Sequence, residues 1–184
     1  MNKKIITQNT KLEGVILIKP VKHKDMRGTF YETYSNRTYK KILRIKHGFV
    51  QDNCSISHEG VLRGLHFQEK YKQGKLVRVT QGSVYDVVVD IRKGSKTFGK
   101  WQGFKINSKN MHQIYIPPGL AHGFLSLSDN TIFEYKCSRY YHPNSEKSIL
   151  WNDPYLKIKW PINNPTISEK DKKGIYMSHF LKND

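Results

Sequence analysis

Between Lys75 and Tyr141 the chain is a succession of short β-prone runs, and this most limits what it can fold into. KLVRV (75–79), SVYDVVVDI (83–91), KWQGFKI (100–106), MHQIYI (111–116), GFLSLS (123–128) and TIFEYKCSRYY (131–141) are rich in β-branched and aromatic residues. Gln81-Gly82, Lys93-Gly94-Ser95, Ser108 to Asn110, Pro117-Pro118-Gly119 and Asp129-Asn130 separate them. Strands this short, with turn chemistry between them, predict an all-β antiparallel sandwich or barrel. No βαβ rhythm, internal repeat or low-complexity tract interrupts the pattern. Short helices are expected at the periphery. Asn36 can cap one over Thr38 to Leu43, where Tyr39, Ile42 and Leu43 share a face. Ser168-Glu169-Lys170-Asp171 has the form of a helical start, with an acidic residue three after a serine.

A length of 184 residues fits one domain with a real core. The expected layout is a single domain over 1–184, with a barrel core at about 45–142 and packed loops plus a short helix over 143–184. Trp151 and Trp160, in the irregular stretch from Pro143 to Pro165, need somewhere to bury, so that stretch should lie on the barrel. No run approaches the roughly 18 apolar residues that span a bilayer. MNKKIITQNTKLEG has lysines but no apolar core, so no signal peptide is expected and the cytoplasm is the default compartment. Cys54 and Cys137 form no CxxC pair, which leaves a zinc site little support and makes free thiols the expected state. The formal charge of +17 raises a nucleic-acid reading. The lysines are nevertheless scattered, with only doublets such as Lys40-Lys41 and Lys172-Lys173, so a solvated basic surface or an anionic small substrate accounts for the charge instead.

The stretch GVLRGLHFQ (60–68) puts Arg63 and His66 into an otherwise apolar strand, which is costly without compensation. In a regular strand these two would face opposite sides, because the side-chain period is two. Both reach one pocket only if the strand is distorted between them, and Gly64 is the predicted bulge. IPPGLAHGF (116–124) has the form P-x-G-x-x-H, which resembles the second motif of the cupin superfamily of jelly-roll barrels. Gly60, five residues and His66 match the start of the first cupin motif, G-x5-H-x-H, but Gln68 occupies the second histidine position. His66 and His122 alone fall short of the three or more strong ligands a transition metal needs, so no metal is expected.

A longer ordered set of pieces resembles the dTDP-4-dehydrorhamnose 3,5-epimerase family. They are RGTFYETY (27–34), FVQDN (49–53), GVLRGLHFQ (60–68), QGKLVRV (73–79), VYDVVVDIRKGSKTFGKW (84–101), IPPGLAHGF (116–124), FEYKCSRYYHPNSE (133–146), ILWNDP (149–154) and SEKD (168–171). The resemblance implies a cupin-type jelly roll without a cofactor, inverting C3 and C5 of a nucleotide-diphosphate-linked 4-keto-6-deoxy sugar for surface polysaccharides. The chemistry is proton abstraction beside a ketone, which needs a base, enolate stabilisation and a proton donor on the other face.

By the same resemblance His66 is the base, Asp171 its partner carboxylate and Tyr135 the proton donor. Arg63 and Lys75 match the cations beside the developing enolate oxygen. Arg27, Phe30, Glu32, Gln51, Asn53 and Tyr141 match positions lining the sugar-nucleotide pocket, and His122 has a supporting role near the dyad. A homodimer is implied, the RGxFxE segment reaching the neighbouring subunit's site; neither nucleic acid nor membrane is an expected partner. Plainer roles stay open: Asp171 as a helix cap, Tyr135 as a packed strand residue, Arg63 paired with Asp86 or Asp90, and Lys75 as a solvated strand start. The family often carries histidine where Cys54 stands, which removes a polar side chain beside Asn53. Relatives that invert one carbon, or take a GDP-linked 4-keto heptose, share the same motifs; a non-catalytic sugar-nucleotide-binding cupin is a further alternative.

Overall fold

SVYDVVVDI lacks the alternation of a half-exposed strand because both of its faces are covered. Val84 and Val88 point into one apolar cluster, while Tyr85, Val87, Val89 and Ile91 belong to another. The computed structural model describes residues 4–181. Its strands are β1 (Ile6–Asn9), β2 (Ile16–Lys19), β3 (His23–Asp25), β4 (Gly28–Phe30), β5 (Gln51–Ser57), β6 (Val61–Gln68) and β7 (Lys75–Gln81). They continue with β8 (Ser83–Asp90), β9 (Trp101–Asn107), β10 (Gln113–Ile116), β11 (Leu120–Ser126), β12 (Thr131–Cys137), β13 (Glu146–Ser148) and β14 (Thr166–Ile167). The helices are α1 (Asn36–Leu43), α2 (Glu169–Lys172) and α3 (Ser178–Leu181).

Two sheets face each other as a jelly roll. One runs β1-β2-β10-β7-β12-β5 and the other β13-β6-β11-β8-β9, with β14 parallel beside β6. The strands β3 and β4 make a separate hairpin. The first sheet therefore takes in residues 6–19 as well as the 45–142 stretch. Val77, Val79, Ile114, Ile116 and Phe133 from one sheet pack against Val84, Val88, Ile106 and Phe124 from the other. Phe124 and Phe133 stack across the gap with centroids 4.1 Å apart. Truncating a buried ring of this kind costs about 3–5 kcal/mol.

The C-terminal stretch covers the outer face of the second sheet, as expected from its tryptophans. Trp160 joins Leu156, Met177, Phe67 and Val87 in that cluster, and its indole N–H donates to the Trp151 carbonyl at 2.8 Å. The helix α1 starts one residue earlier than its sequence suggests. Ser35, not Asn36, is the cap: Ser35 is extended and its hydroxyl accepts from the Thr38 amide, whereas Asn36 is already helical and accepts from the Tyr34 hydroxyl. Ser168 caps α2 as expected, accepting from the Asp171 amide at 3.1 Å.

The strand β6 carries the predicted irregularity. Against β11, His66 pairs with His122 and Arg63 with Phe124, so β6 advances three residues while β11 advances two. The extra residue lies at Gly64-Leu65, where Gly64 has φ +116° and the peptide between them is cis. A Cβ on Gly64 would come within 2.7 Å of Gly123 Cα and 2.8 Å of the His122 carbonyl oxygen. Only glycine fits there.

Candidate active site

The irregularity turns Arg63 and His66 to the same side of β6, where His66 lines a cavity of about 250 Å³ between the sheets and Arg63 joins it in the continuation of that cavity. Gln51 and Asn53 from β5, His66 and Gln68 from β6, Lys75 from β7 and Tyr135 from β12 line it, together with Tyr141 and Glu146. A continuation of about 200 Å³ shares His66, Lys75, Tyr135 and Glu146 and adds Arg63, His122, Phe124 and Phe133.

His66 Nε2 lies 2.6 Å from Asp171 Oδ1, and the Gly64 amide donates to Asp171 Oδ2 at 3.1 Å. The carboxylate is nearly sealed from solvent, with 4% of its side chain exposed against 28% for His66. Burial alone would raise the Asp171 pKa, but the His66 hydrogen bond and charge, with the Gly64 amide, outweigh it and hold the carboxyl below its ordinary value. An ionised Asp171 fixes the ring proton on Nε2 and leaves the Nδ1 lone pair free. Asp171 is therefore not the cap: Ser168 caps the helix and accepts from the Asp171 amide, while the Asp171 carboxylate goes to His66 and Gly64.

A second histidine–carboxylate pair lies next to the first. His122 Nε2 is 2.7 Å from Asp86 Oδ2, both side chains being buried. Burial pushes the His122 pKa down, Asp86 opposes this, and Lys75 and His66 push it down further. Asp86 Oδ1 has no hydrogen-bond partner among the described residues.

Across the cavity, burial first and then Cys137, Glu146 and Tyr141 push the Tyr135 phenol up to about 12, with Arg63 opposing. Lys75 Nζ lies 5.6 Å from the Tyr135 ring centroid. Burial pushes its ammonium below the ordinary lysine value against the pull of Cys137, Glu146 and Asp86. Arg63 pairs with neither aspartate considered from sequence. Asp86 is taken by His122 and Asp90 by Arg92, while Arg63 donates to the Ser57 hydroxyl at 3.1 Å and the Ile56 carbonyl at 3.4 Å.

Arg27, Phe30 and Glu32 do not reach this cavity within the chain. Arg27 pairs with Asp25 at 2.6 Å on the exposed β3–β4 hairpin, and Phe30 is 74% exposed. Cys54 is exposed overall and borders the 200 Å³ continuation of the cavity beside Ser55. Cys137, buried and also a free thiol, lines the 250 Å³ cavity itself.

Sequence reasoning missed Glu146, and it weighed Asp86 only as a partner of Arg63 and not of His122. Glu146 accepts from the Tyr141 hydroxyl at 2.9 Å and pairs with Lys170; it reaches the site because β13 pairs with β6 and sets it opposite Gln68. Nothing local in SEK signals that pairing. Asp86 was legible in principle, since it shares the inward parity of Val84 and Val88 on β8. Among the described residues no group of three His, Cys, Asp or Glu side chains is placed to hold a metal ion. No helix among them is long and apolar enough to cross a membrane.

The family model described as dTDP-4-dehydrorhamnose 3,5-epimerase matches residues 9–179. The chain is 49% identical over 164 residues to the dTDP-4-dehydrorhamnose 3,5-epimerase of Pseudomonas aeruginosa, spanning 89% of this chain and 91% of that one. It is 48% identical over 175 residues to the enzyme of that name from Escherichia coli K12, spanning 94% and 95%. A crystal structure of dTDP-6-deoxy-D-glucose-3,5-epimerase from Legionella pneumophila, in complex with dTDP-4-keto-L-rhamnose, matches with a TM-score of 0.92 at 46% identity. That match covers 95% of this chain and 94% of the Legionella chain.

Proposed function

The chain belongs to the dTDP-4-dehydrorhamnose 3,5-epimerase family, and from that premise we propose that it inverts C3 and C5 of a dTDP-linked 4-keto-6-deoxy sugar. The observation that carries the reading is the pairing of His66 with Asp171 at 2.6 Å on one sheet while the half-buried Tyr135 phenol faces the same cavity from the other. A base and an acid on opposite walls are what inversion requires and what a mere binding protein has no use for.

His66 Nδ1 takes the proton from the carbon beside the ketone, and the imidazolium so formed is stabilised by Asp171. The electron pair left on carbon delocalises onto the ketone oxygen as an enolate. Lys75 and Arg63 supply positive charge for that oxygen, where a shielded cavity makes the attraction stronger than in water. Tyr135, whose pKa of about 12 keeps it protonated near neutrality, returns a proton to the opposite face. The phenolate left behind sits beside Lys75, and proton exchange with solvent resets both groups. The sequence repeats at the second carbon, both being adjacent to the same ketone.

Gln51, Asn53, His122 and Tyr141 line the remaining space, with Tyr141 toward the nucleotide. Arg27 and Phe30, exposed on the β3–β4 hairpin, and Glu32, exposed just after it, are assigned to the site of a second subunit in a homodimer. The product is a deoxysugar nucleotide for surface polysaccharide. The dTDP-linked substrate is preferred to a GDP-linked heptose because relatives 48–49% identical to this chain carry dTDP in their names. NMR in D2O with dTDP- and GDP-linked 4-keto-6-deoxy sugars side by side tests this. Deuterium should enter C3 and C5 of the dTDP sugar; no incorporation refutes the reading, and incorporation at C3 alone reduces it to a single inversion.

A further inference from the structure

Gln68 stands where a metal-binding cupin has its second histidine, and the proposed reaction gives it no role. It ends β6 at the cavity wall and is buried. Its amide joins two loops that do not otherwise belong to β6. Nε2 donates to the Tyr71 carbonyl at 2.8 Å, and Oε1 accepts from the His142 amide at 2.7 Å. The neighbouring amide, that of Tyr141, donates to Gln51 Oε1 at 2.8 Å. Consecutive backbone amides of the segment carrying Tyr141 therefore end on the side-chain carbonyls of two glutamines, one from each sheet. The Tyr71 ring stacks on His142 at 4.1 Å and closes the same loop from outside.

We propose that Gln68 is a positioning residue for the nucleotide end of the site: it clasps the Tyr141–His142 backbone so that Tyr141 stands at the cavity mouth before substrate arrives. This rests on the epimerase reading, with Tyr141 facing the nucleotide. The Tyr141 side chain is 45% exposed and its described polar anchor is the hydroxyl bond to Glu146, so its placement depends on the backbone that carries it. A ring already in place loses less freedom on binding than one that must be ordered. Glutamine is the side chain this position demands. It offers one acceptor and one donor at the right reach, whereas glutamate would turn a carboxylate oxygen onto the Tyr71 carbonyl and methionine would satisfy neither loop.

The effect belongs in affinity and not in proton transfer, because Gln68 bonds to neither His66 nor Tyr135. For Gln68→Met, KM and the Kd for dTDP alone should rise about tenfold while kcat stays within about threefold. Gln68→Glu should be at least as severe. In a Tyr141→Ala background the Gln68→Met change should add less than about twofold, since both act through one ring. Unchanged KM and dTDP affinity in Gln68→Met, a fall in kcat alone, or full additivity with Tyr141→Ala overturns the proposal. Amide hydrogen exchange in the wild-type protein provides a test that needs no variant. The Tyr141 and His142 amides should be protected without ligand, and rapid exchange at both overturns the clasp even if the variants do not fold. Wild-type protein that exchanges no substrate proton defeats the epimerase reading instead, and the clasp is then judged on amide protection and dTDP affinity.

Discussion

Asp171→Asn removes one charge and almost nothing else. The backbone amide of residue 171 still donates to Ser168, and an asparagine fills the same space in a site only 4% exposed. The carboxamide, however, cannot satisfy both of its neighbours. In the wild type one oxygen meets His66 Nε2 and the other accepts from the Gly64 amide. If the asparagine oxygen turns to Gly64, its NH2 donates to Nε2 and drives the ring proton onto Nδ1, the nitrogen that has to take the substrate proton. If the oxygen turns to His66, the NH2 faces the Gly64 N–H, and a buried donor goes unmatched at a cost of about 1–3 kcal/mol. Replacing a charge-assisted bond to the imidazolium by a neutral one costs about 1–2 kcal/mol more. The sum of about 2–5 kcal/mol on the abstraction step corresponds to a loss of roughly 30- to 5000-fold in rate. Solvent-deuterium incorporation at C3 and C5, followed by NMR, measures it, with dTDP affinity and thermal unfolding as controls for the site and the fold. A folded Asp171→Asn protein exchanging within about fivefold of wild type would refute the tautomer argument.

Tyr135→Phe should keep proton abstraction measurable as deuterium wash-in with retention while inversion falls by at least about 100-fold; inversion at the wild-type rate removes the phenol from the mechanism. Gly64→Ala should destabilise by more than about 3 kcal/mol, because its Cβ meets backbone at 2.7 Å and 2.8 Å and its φ is +116°; a denaturant midpoint close to wild type contradicts the packing described. His122, neutral in its buried pair because its pKa is lowered, loses stability for the fold as it is acidified. The unfolded chain takes up the histidine proton near pH 6.5 and the folded one only at lower pH, so stability should fall as pH drops below about 6.5. The slope of Tm with pH should flatten in His122→Asn, and an unchanged slope refutes the assignment. Mixing inactive His66→Asn with Arg27→Ala should restore activity if the β3–β4 hairpin serves the partner's site, since one site of the heterodimer is then intact; no recovery in a mixed dimer argues against it.

The two sheets were legible because β-branched runs and turn residues alternate through 75–141, and β8 reads as continuously apolar because both its faces are buried. The strands at 6–19 were not. All of β1 is exposed and, apart from Ile6, polar, and β2 is four residues long, so neither carries a periodic signal; pairing of β2 with β10, and of β1 with β2, is what makes them strands. The Ser35 cap was missed by one residue because Ser35 and Asn36 are both good caps and only the backbone angles decide between them. At the site, parity placed Arg63 and His66 on one face through Gly64, but the approach of Asp171 spans more than half the chain and was legible only through resemblance. Glu146 depends on a β13–β6 pairing that its own short, polar strand does not announce.

The irregularity at Gly64 connects the fold to the chemistry more closely than a bulge usually does. One extra residue in β6 moves Arg63 onto the face of His66. The same departure from the ladder frees the Gly64 amide to bond Asp171 Oδ2, which fixes the carboxylate whose other oxygen holds the imidazole. The strand β11 can come this close only because Gly123 lies opposite, where a Cβ would sit 2.6 Å from the Arg63 carbonyl oxygen. A regular β6 would point Arg63 away from the cavity and return the Gly64 amide to a strand partner, leaving Asp171 with an unmatched buried oxygen. Cation, base and partner carboxylate are therefore set by one local distortion, and a side chain at either glycine should disturb all three together.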